Sequence, residues 1–244
     1  MKILALEFSS QQRSVALVQS PSSAGPHAAP SVSEVIETGG RATKAIGMIG
    51  EALRDAQLER EQIDCVAVGL GPGSYTGIRA GIAFAQGWQL ARNVKLLGIS
   101  SVECIAEQAR ADGLTGSINI VIDAQRTEFY LAQYTFREPC NADIPVGERS
   151  ADFPVRSKLH GPGASQPLRL ATLAEVQQIE RAGQTLVGPE VTKWFPGGRI
   201  VFPRAAMLGQ IALRRHDFVP GEKLEPIYLR DTTFVKAPPP RIIP

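Results

Sequence analysis

The sequence predicts an α/β fold built from two similar units, each of which begins with a β-hairpin. Strand and helix patterns alternate through the N-terminal third of the chain, and a second strand–turn–strand pattern begins near residue 117. The composition agrees, because 43% of the 244 residues are hydrophobic and 20% are charged, which excludes a disordered chain. The boundary between the units is predicted near Ser100.

The first unit is predicted to open with three antiparallel strands. Apolar or β-branched runs at 3–8 and 14–18 flank the polar turn at 9–13, as in a hairpin. A third strand is predicted at 32–38. The segment 20–31 between them is rich in Pro and Ser, so it is predicted to extend the hairpin without forming a helix or a strand.

Helices and buried strands alternate after this hairpin. The pattern predicts helices at about 43–57, 76–92 and 100–111, with buried strands at 64–69 and 94–99. Ser100 and Glu103 have the spacing of a capping box, in which each side chain bonds the backbone N–H of the other residue.

The second unit is predicted to repeat the opening hairpin and then to become irregular. Strands are predicted at 118–123 and 127–136, followed by a loop-rich stretch at 138–167, a helix at 172–181, a strand at 185–188 and a helix at 205–215. The tail from Ala237 to Pro244 is predicted to be extended, because consecutive prolines supply no amide donors.

Charge and cysteine usage exclude several classes of protein. There are 26 Lys and Arg residues against 24 Asp and Glu, without a basic stripe, which argues against nucleic-acid binding as the main function. No apolar run is long enough to span a bilayer, and the start has no signal-peptide pattern. The three cysteines (Cys65, Cys104 and Cys140) are far apart and the three histidines have no HxxxH spacing, so a cytoplasmic, soluble, metal-free protein is predicted.

The most distinctive segment is the glycine-rich stretch from Gly69 to Arg79. Its glycines are spaced GxGxxxG and no Lys follows them as in a P-loop, so the standard dinucleotide and P-loop motifs are absent. Ser74 or Thr76 is predicted to cap the following helix. An anion at the helix N-terminus and a purely structural tight turn are both consistent with this pattern.

Small residues recur along the predicted helix that follows. Gly77, Gly81 and Ala85 fall at four-residue intervals, and each glycine inside a helix costs about 1 kcal/mol relative to Ala. Close approach of another helix backbone is predicted to offset this cost. The pattern does not decide whether that helix belongs to this chain or to a partner.

Four segments together resemble the TsaB (YeaZ) family, and they occur in the family's order. They are the opening hairpin at 2–17, the glycine motif at 69–79, the second hairpin at 122–130 and the end motif at 226–230. The resemblance spans most of the chain, and the glycine motif is its most specific part.

The resemblance implies an actin-like ATPase fold with an N-terminal domain at 1–99 that carries the partner-binding helices, a second domain at 100–230 and an extended Pro-rich tail at 231–244. Helix 205–215 is expected to pack back on the first domain. The implied function is a non-catalytic scaffold in the complex that installs N6-threonylcarbamoyl on adenosine 37 of tRNA. The implied partners are a catalytic TsaD-like subunit, a TsaE-like ATPase, a second copy when alone, and tRNA only through the complex.

The resemblance also implies where the partner binds. The predicted interface residues are Gly71, Pro72, Gly73, Ser74, Tyr75, Thr76, Gly77, Arg79, Gly81 and Ala85. Glu7, Ser9 and Ser10 occupy the positions of a weak nucleotide site, where the family usually has Asp in place of Glu7. No resident cofactor is expected, and ATP or ADP at an interface of the complex is left open. Residues 41–44 differ from the family's usual His-Ser-Glu stretch.

Two other functions are alternatives to the scaffold. The first is an active nucleotide-binding ATPase or carbamoyltransferase of the same fold, but a TsaD-like enzyme would need an HxxxH metal pair. The second is a peptidase, but Ser74 lies in no GxSxG elbow. Asp123 is expected to cap its turn rather than to act as a general base. Arg79 is expected to meet an acid on a partner or a phosphate.

Overall fold

A computed structural model of the chain describes residues 1–21, 29–39, 44–136 and 164–229. The strands are β1 (Lys2–Glu7), β2 (Gln12–Gln19), β3 (Ser31–Thr38), β4 (Cys65–Gly69), β5 (Lys95–Ile99), β6 (Gly116–Asp123), β7 (Glu128–Phe136), β8 (Ala164–Thr172), β9 (Thr185–Gly188) and β10 (Arg199–Ile200). The helices are α1 (Ala45–Asp55), α2 (Tyr75–Arg92), α3 (Ser101–Ala111), α4 (Leu173–Arg181) and α5 (Ala205–Ala212). Every predicted helix and strand is present, with its ends shifted by a few residues at most.

The ten strands form two five-stranded sheets with the same topology. The order in the first sheet is β3-β2-β1-β4-β5 and in the second β10-β9-β6-β7-β8. In each sheet the leading three strands are antiparallel and the two later strands lie parallel to the first. The repeated hairpin in the sequence therefore marks a repeated sheet.

The first sheet is covered on both faces, so β1 and β4 are buried along most of their length. Alternate side chains of a strand point to opposite faces, so Leu4 and Leu6 join the core under α2 while Ile3 and Ala5 face α5. Apolar side chains at every position, as in β1, are typical of a central strand with helices on both faces.

The C-terminal part of the chain returns to the first sheet. Helix α5 packs on β1 and β2, so closely that a Cβ on Gly209 would lie 2.4 Å from Cγ2 of Val18. The segment after α5 then runs beside β5 and β4, where the N–H of Val219 bonds the carbonyl of Leu96 and the N–H of Ile227 bonds that of Leu70. The segment that contains Ile227 thus lies beside the glycine turn.

Two strands and one cap differ from the sequence prediction. The sequence predicts a loop where β8 begins, because Pro167 interrupts the strand pattern, but an edge strand tolerates this proline. The sequence predicts no strand at β10, which has only two residues. Ser100 does cap α3, accepting the N–H of Val102, but Glu103 does not close a capping box. The Glu103 carboxylate is buried and bonds Arg215 at 2.5 and 2.6 Å, which ties α3 to the segment after α5.

The described residues contain no helix that is long and apolar enough to cross a membrane. Cys65 and Cys104 are both buried, as expected for packing residues, and burial raises the pKa of the Cys65 thiol to about 12. Several residues singled out in the sequence lie outside the described ranges. They are His27, His160, Cys140, Arg230, part of 20–31, most of 41–44 and the tail 231–244.

Candidate functional site

The glycine turn after β4 lies directly against the hairpin that joins β1 and β2. The N–H of Ser74 donates to the carbonyl of Ser9 at 2.7 Å, and a Cβ on Gly73 would lie 2.1 Å from the same oxygen. Gly71 has a φ of +83°, which favours glycine. Ser74 caps α2 by accepting the N–H of Gly77, as predicted. Close packing against the hairpin therefore explains the glycines of the turn.

The carboxylate of Glu7 is fully buried at the end of β1, between the glycine turn and α3. One oxygen accepts the N–H of Ser9 at 2.8 Å, and the other accepts the hydroxyl of Ser101 at 2.9 Å. The Ser101 hydroxyl in turn accepts the N–H of Gly71 at 3.1 Å. A Cβ on Gly69 would lie 2.0 Å from the Glu7 carboxylate, so this carboxylate occupies the space beside β4.

The structure brings together the three residues predicted as a weak nucleotide site, but all of them are buried. Glu7 is 0% exposed, Ser9 5% and Ser10 7%, and the Ser10 hydroxyl donates to the carbonyl of Gln12. Burial raises the pKa of Glu7, an effect that hydrogen bonds from Ser9 and Ser101 oppose. This network joins the hairpin, the glycine turn and α3, and it presents no carboxylate to solvent.

Replacing Glu7 with Gln is expected to change the pH dependence of stability. The native pKa of Glu7 lies above its ordinary value of 4.5, so the native state binds the proton more tightly than the unfolded chain does. The free energy of unfolding of the wild type should therefore fall, relative to that of Glu7→Gln, as pH rises from 4.5 to the native pKa. Urea unfolding of both proteins between pH 4.5 and 8 measures the difference; parallel curves would contradict the assigned burial cost.

The small-residue stripe of α2 faces the first sheet and not the surface. A Cβ on Gly77 would lie 2.0 Å from the carbonyl oxygen of Phe8, and one on Gly81 would lie 3.2 Å from Cγ1 of Val68. Ala85 is fully buried. The close neighbours of these residues are therefore Phe8, just after β1, and Val68 of β4, and not a helix backbone as predicted. The prediction of a partner interface at these three positions is wrong, because all three are buried within this chain.

The remaining predicted interface residues differ in exposure. Gly71 and Pro72 are buried and Gly73 and Ser74 are half-buried, whereas Tyr75, Thr76 and Arg79 are exposed. The part of the predicted interface that solvent can reach is thus the first turn of α2 and the residue one turn later.

The outward face of α2 forms an apolar groove with α1. The resemblance implied that helices of the first domain bind the partner, but none of the predicted interface residues lines this groove. The groove has a volume of about 650 Å³. It is lined by Ile46, Ile49, Arg60, Glu61, Ala80, Ala83, Phe84, Gly87, Trp88, Ala91 and Arg92. Ile46 is 70% exposed at one side of it, and nearby Leu90 is 90% exposed. A second set of apolar residues on α2, which includes Phe84 and Trp88 and lies outside the Gly77–Gly81–Ala85 spacing, is the sequence pattern that indicates this groove.

An aromatic pair lies at the N-terminal end of this face. The rings of Tyr75 and Tyr228 stack with a centroid distance of 5.5 Å and an angle of 26°. The guanidinium of Arg79 lies 5.2 Å from the Tyr75 ring centroid and donates to the Tyr75 hydroxyl at 2.9 Å. The glycine motif and the end motif of the sequence thus meet at the surface.

The other residues considered for chemistry have structural partners. Asp123 accepts the N–H of Gln125 at 2.6 Å, which confirms the predicted turn cap, and its second oxygen accepts Nε1 of Trp194. His216, the single histidine in the described ranges, contacts Phe218. Across those ranges no three His, Cys, Asp or Glu side chains are grouped so as to hold a metal ion.

Comparison with known proteins identifies the class. The family model described as "TsaD: tRNA N6-adenosine threonylcarbamoyltransferase" matches residues 41–194, more than half of the chain. With the repeated sheet, this match defines a two-domain α/β protein of the actin-like ATPase type. Two solved Pseudomonas aeruginosa structures, one described as YeaZ and one as similar to peptidase YEAZ, share this fold. Their TM-scores are 0.67 and 0.68 at 21% identity, and the matches cover 93% and 94% of this chain and 99% of each structure.

Sequence relatives identify the family within this fold class. The tRNA threonylcarbamoyladenosine biosynthesis protein TsaB of Haemophilus influenzae is 27% identical over 202 residues, which cover 80% of this chain and 82% of the relative. The protein of the same name from Escherichia coli is 35% identical over 92 residues, or 37% of this chain and 39% of the relative. The chain belongs to the TsaB/YeaZ family, as its motifs predicted.

Proposed function

We propose that this chain is a non-catalytic subunit in tRNA threonylcarbamoyladenosine biosynthesis, and that it binds and supports a TsaD-type catalytic subunit through the α1–α2 groove. Family membership supports a role for this chain in that pathway. The groove is the observation that carries the mode of action. This apolar groove has charged side chains at its edge, among them Arg60 and Arg92, and Ile46 at its side is 70% exposed, as expected of a surface with an apolar centre and a polar rim.

The contacts of Glu7, Ser74 and Asp123 support a role without catalysis. Glu7 directs both carboxylate oxygens to groups of its own chain, so it is not available to hold a metal-bound phosphate. Ser74 caps a helix, and Asp123 caps a turn and bonds Trp194. A side chain that is already engaged in the native fold must break those contacts before it can act on a substrate.

The proposal also includes the other partners. A second copy of the chain would cover the groove when the catalytic subunit is absent, and a TsaE-type ATPase would join only the assembled complex. Contact with tRNA would come through the catalytic subunit, which fits a net charge of +2 without a basic stripe. This role is a cytoplasmic one.

Complex formation tests the proposal. The purified chain is expected to co-elute with the cognate TsaD-type subunit in size-exclusion chromatography, and the isolated chain is expected to give no heat of binding when titrated with ATP and magnesium. Failure to co-elute at micromolar concentrations would contradict the scaffold role. Tight ATP binding by the isolated chain would instead favour an active ATPase of the same fold.

A further inference from the structure

Tyr75, Tyr228 and Arg79 form a small surface cluster in which the start of α2 meets the segment that follows α5. Tyr75 is the first residue of α2 and is 56% exposed, while Tyr228 follows the segment that is bonded to β4 and is 43% exposed. The N–H of Ile227 donates to the carbonyl of Leu70 at 2.9 Å, so backbone bonding fixes the neighbour of Tyr228. Helix α2 positions the Tyr75 ring and the backbone bond of Ile227 positions the Tyr228 ring, so the stacked pair is already formed in the isolated chain.

Arg79 is the charged member of the cluster. One of its guanidinium nitrogens donates to the Tyr75 hydroxyl, and the guanidinium lies against the Tyr75 ring. Among the described residues no carboxylate forms an ion pair with it. A guanidinium has five N–H donors, so those that Tyr75 does not use remain to be satisfied by water or by a partner.

The residue types of this cluster and its position beside the groove are those expected of a strong binding site in a protein–protein interface. Tyr and Arg are the residue types enriched at positions that dominate binding energy, and a guanidinium held in place by stacking loses little entropy on binding. The cluster also continues directly into the groove, because Ala83 lies one turn after Arg79 on the same face of α2. A protein that covers the groove therefore also reaches Arg79.

We propose that Arg79, held by the Tyr75–Tyr228 pair, binds a carboxylate side chain of the protein that occupies the α1–α2 groove. The proposal rests on the proposed function, because it takes the catalytic subunit as that protein. Charge complementarity defines the occupant: an Asp or Glu in a part of the partner surface that is otherwise apolar or aromatic. Tyr228 acts as a positioning residue that holds Tyr75 and, through it, Arg79.

The affinity for the purified catalytic subunit tests this charge pair. Arg79→Glu is expected to weaken binding about 100-fold, because the partner's carboxylate then faces a like charge. Arg79→Gln is expected to weaken binding about tenfold, because the partner's carboxylate is then left buried without an ion pair. Arg181→Glu, at an exposed position on α4, is the matched control and should bind like the wild type. Tyr228→Ala should weaken binding while Tyr228→Phe retains it, since the ring does the positioning.

Salt dependence separates a charge pair from simple packing. The wild-type affinity should fall more steeply with ionic strength than that of Arg79→Gln, because only the wild type has the pair to be screened. Wild-type affinity in Arg79→Glu, or an unchanged salt dependence in Arg79→Gln, would overturn the charge pair.

A second variant, Ala83→Arg in the α1–α2 groove, distinguishes failure of the charge-pair proposal from failure of the proposed scaffold function. If Arg79→Glu binds normally and Ala83→Arg does not, the charge pair is wrong and the scaffold role stands. If the wild type itself does not bind the catalytic subunit, both proposals are wrong.

Discussion

Replacing Gly77 with Ala is expected to lower the free energy of unfolding by about 3 kcal/mol, the upper part of the range for overpacking. The added Cβ would lie 2.0 Å from the carbonyl oxygen of Phe8 and 3.1 Å from the carbonyl carbon. A backbone carbonyl cannot rotate away as the end of a flexible side chain does. Helix α2 must therefore move away from β1, which opens the core between them.

Gly87→Ala on the same helix is the matched control. A Cβ at Gly87 meets nothing within 4 Å, so the substitution should be neutral or should raise stability by up to about 1 kcal/mol through helix propensity. Urea unfolding of the two variants and the wild type measures the contrast. If the two glycines gave the same result, the inward orientation of the small-residue stripe would be wrong.

Placing Arg at Ala83 is expected to weaken binding of the catalytic subunit at least about 100-fold, or about 3 kcal/mol, without unfolding the chain. Ala83 is exposed and lines the α1–α2 groove, so a long charged side chain there fills the groove and must be desolvated when a partner covers it. Arg is nearly as good a helix former as Ala, and stability should change by only a few tenths of a kcal/mol.

Ala111→Arg provides the control for Ala83→Arg. Ala111 is the exposed last residue of α3, where a positive charge is compatible with the helix dipole. Equilibrium binding by calorimetry, with circular dichroism as the test of folding, compares the two variants. Wild-type affinity in a folded Ala83→Arg protein would show that the groove does not bind the partner.

Local patterns in the sequence were enough to predict most of the fold. The fully apolar run in β1 and the helical spacing in α1 and α2 depend only on nearby residues, so they survive in the structure. The repeated hairpin at residues 116–136 correctly indicated a repeated sheet. β8 was missed because its polar residues and Pro167 are tolerated only at an edge, and edge position is a property of the assembled sheet.

The orientation of α2 could not be predicted in the same way. Gly77, Gly81 and Ala85 have the spacing of a helix–helix contact, but the same spacing serves close packing on a strand. Which face turns inward depends on Phe8 and Val68, whose positions follow from sheet register over long sequence distances. The stacking of Tyr75 on Tyr228 has the same origin, because the chain must return beside β4 before the two rings can meet.

A reconstituted tRNA modification assay tests the central claim most directly. The catalytic subunit and the ATPase are held constant while this chain is titrated, and threonylcarbamoyladenosine formation is measured for the wild type and for Ala83→Arg. A scaffold should stimulate modification until it is equimolar with the catalytic subunit, and Ala83→Arg should need about 100-fold more protein for the same effect. Equal modification without the chain, or full stimulation by Ala83→Arg at wild-type concentrations, would contradict the account.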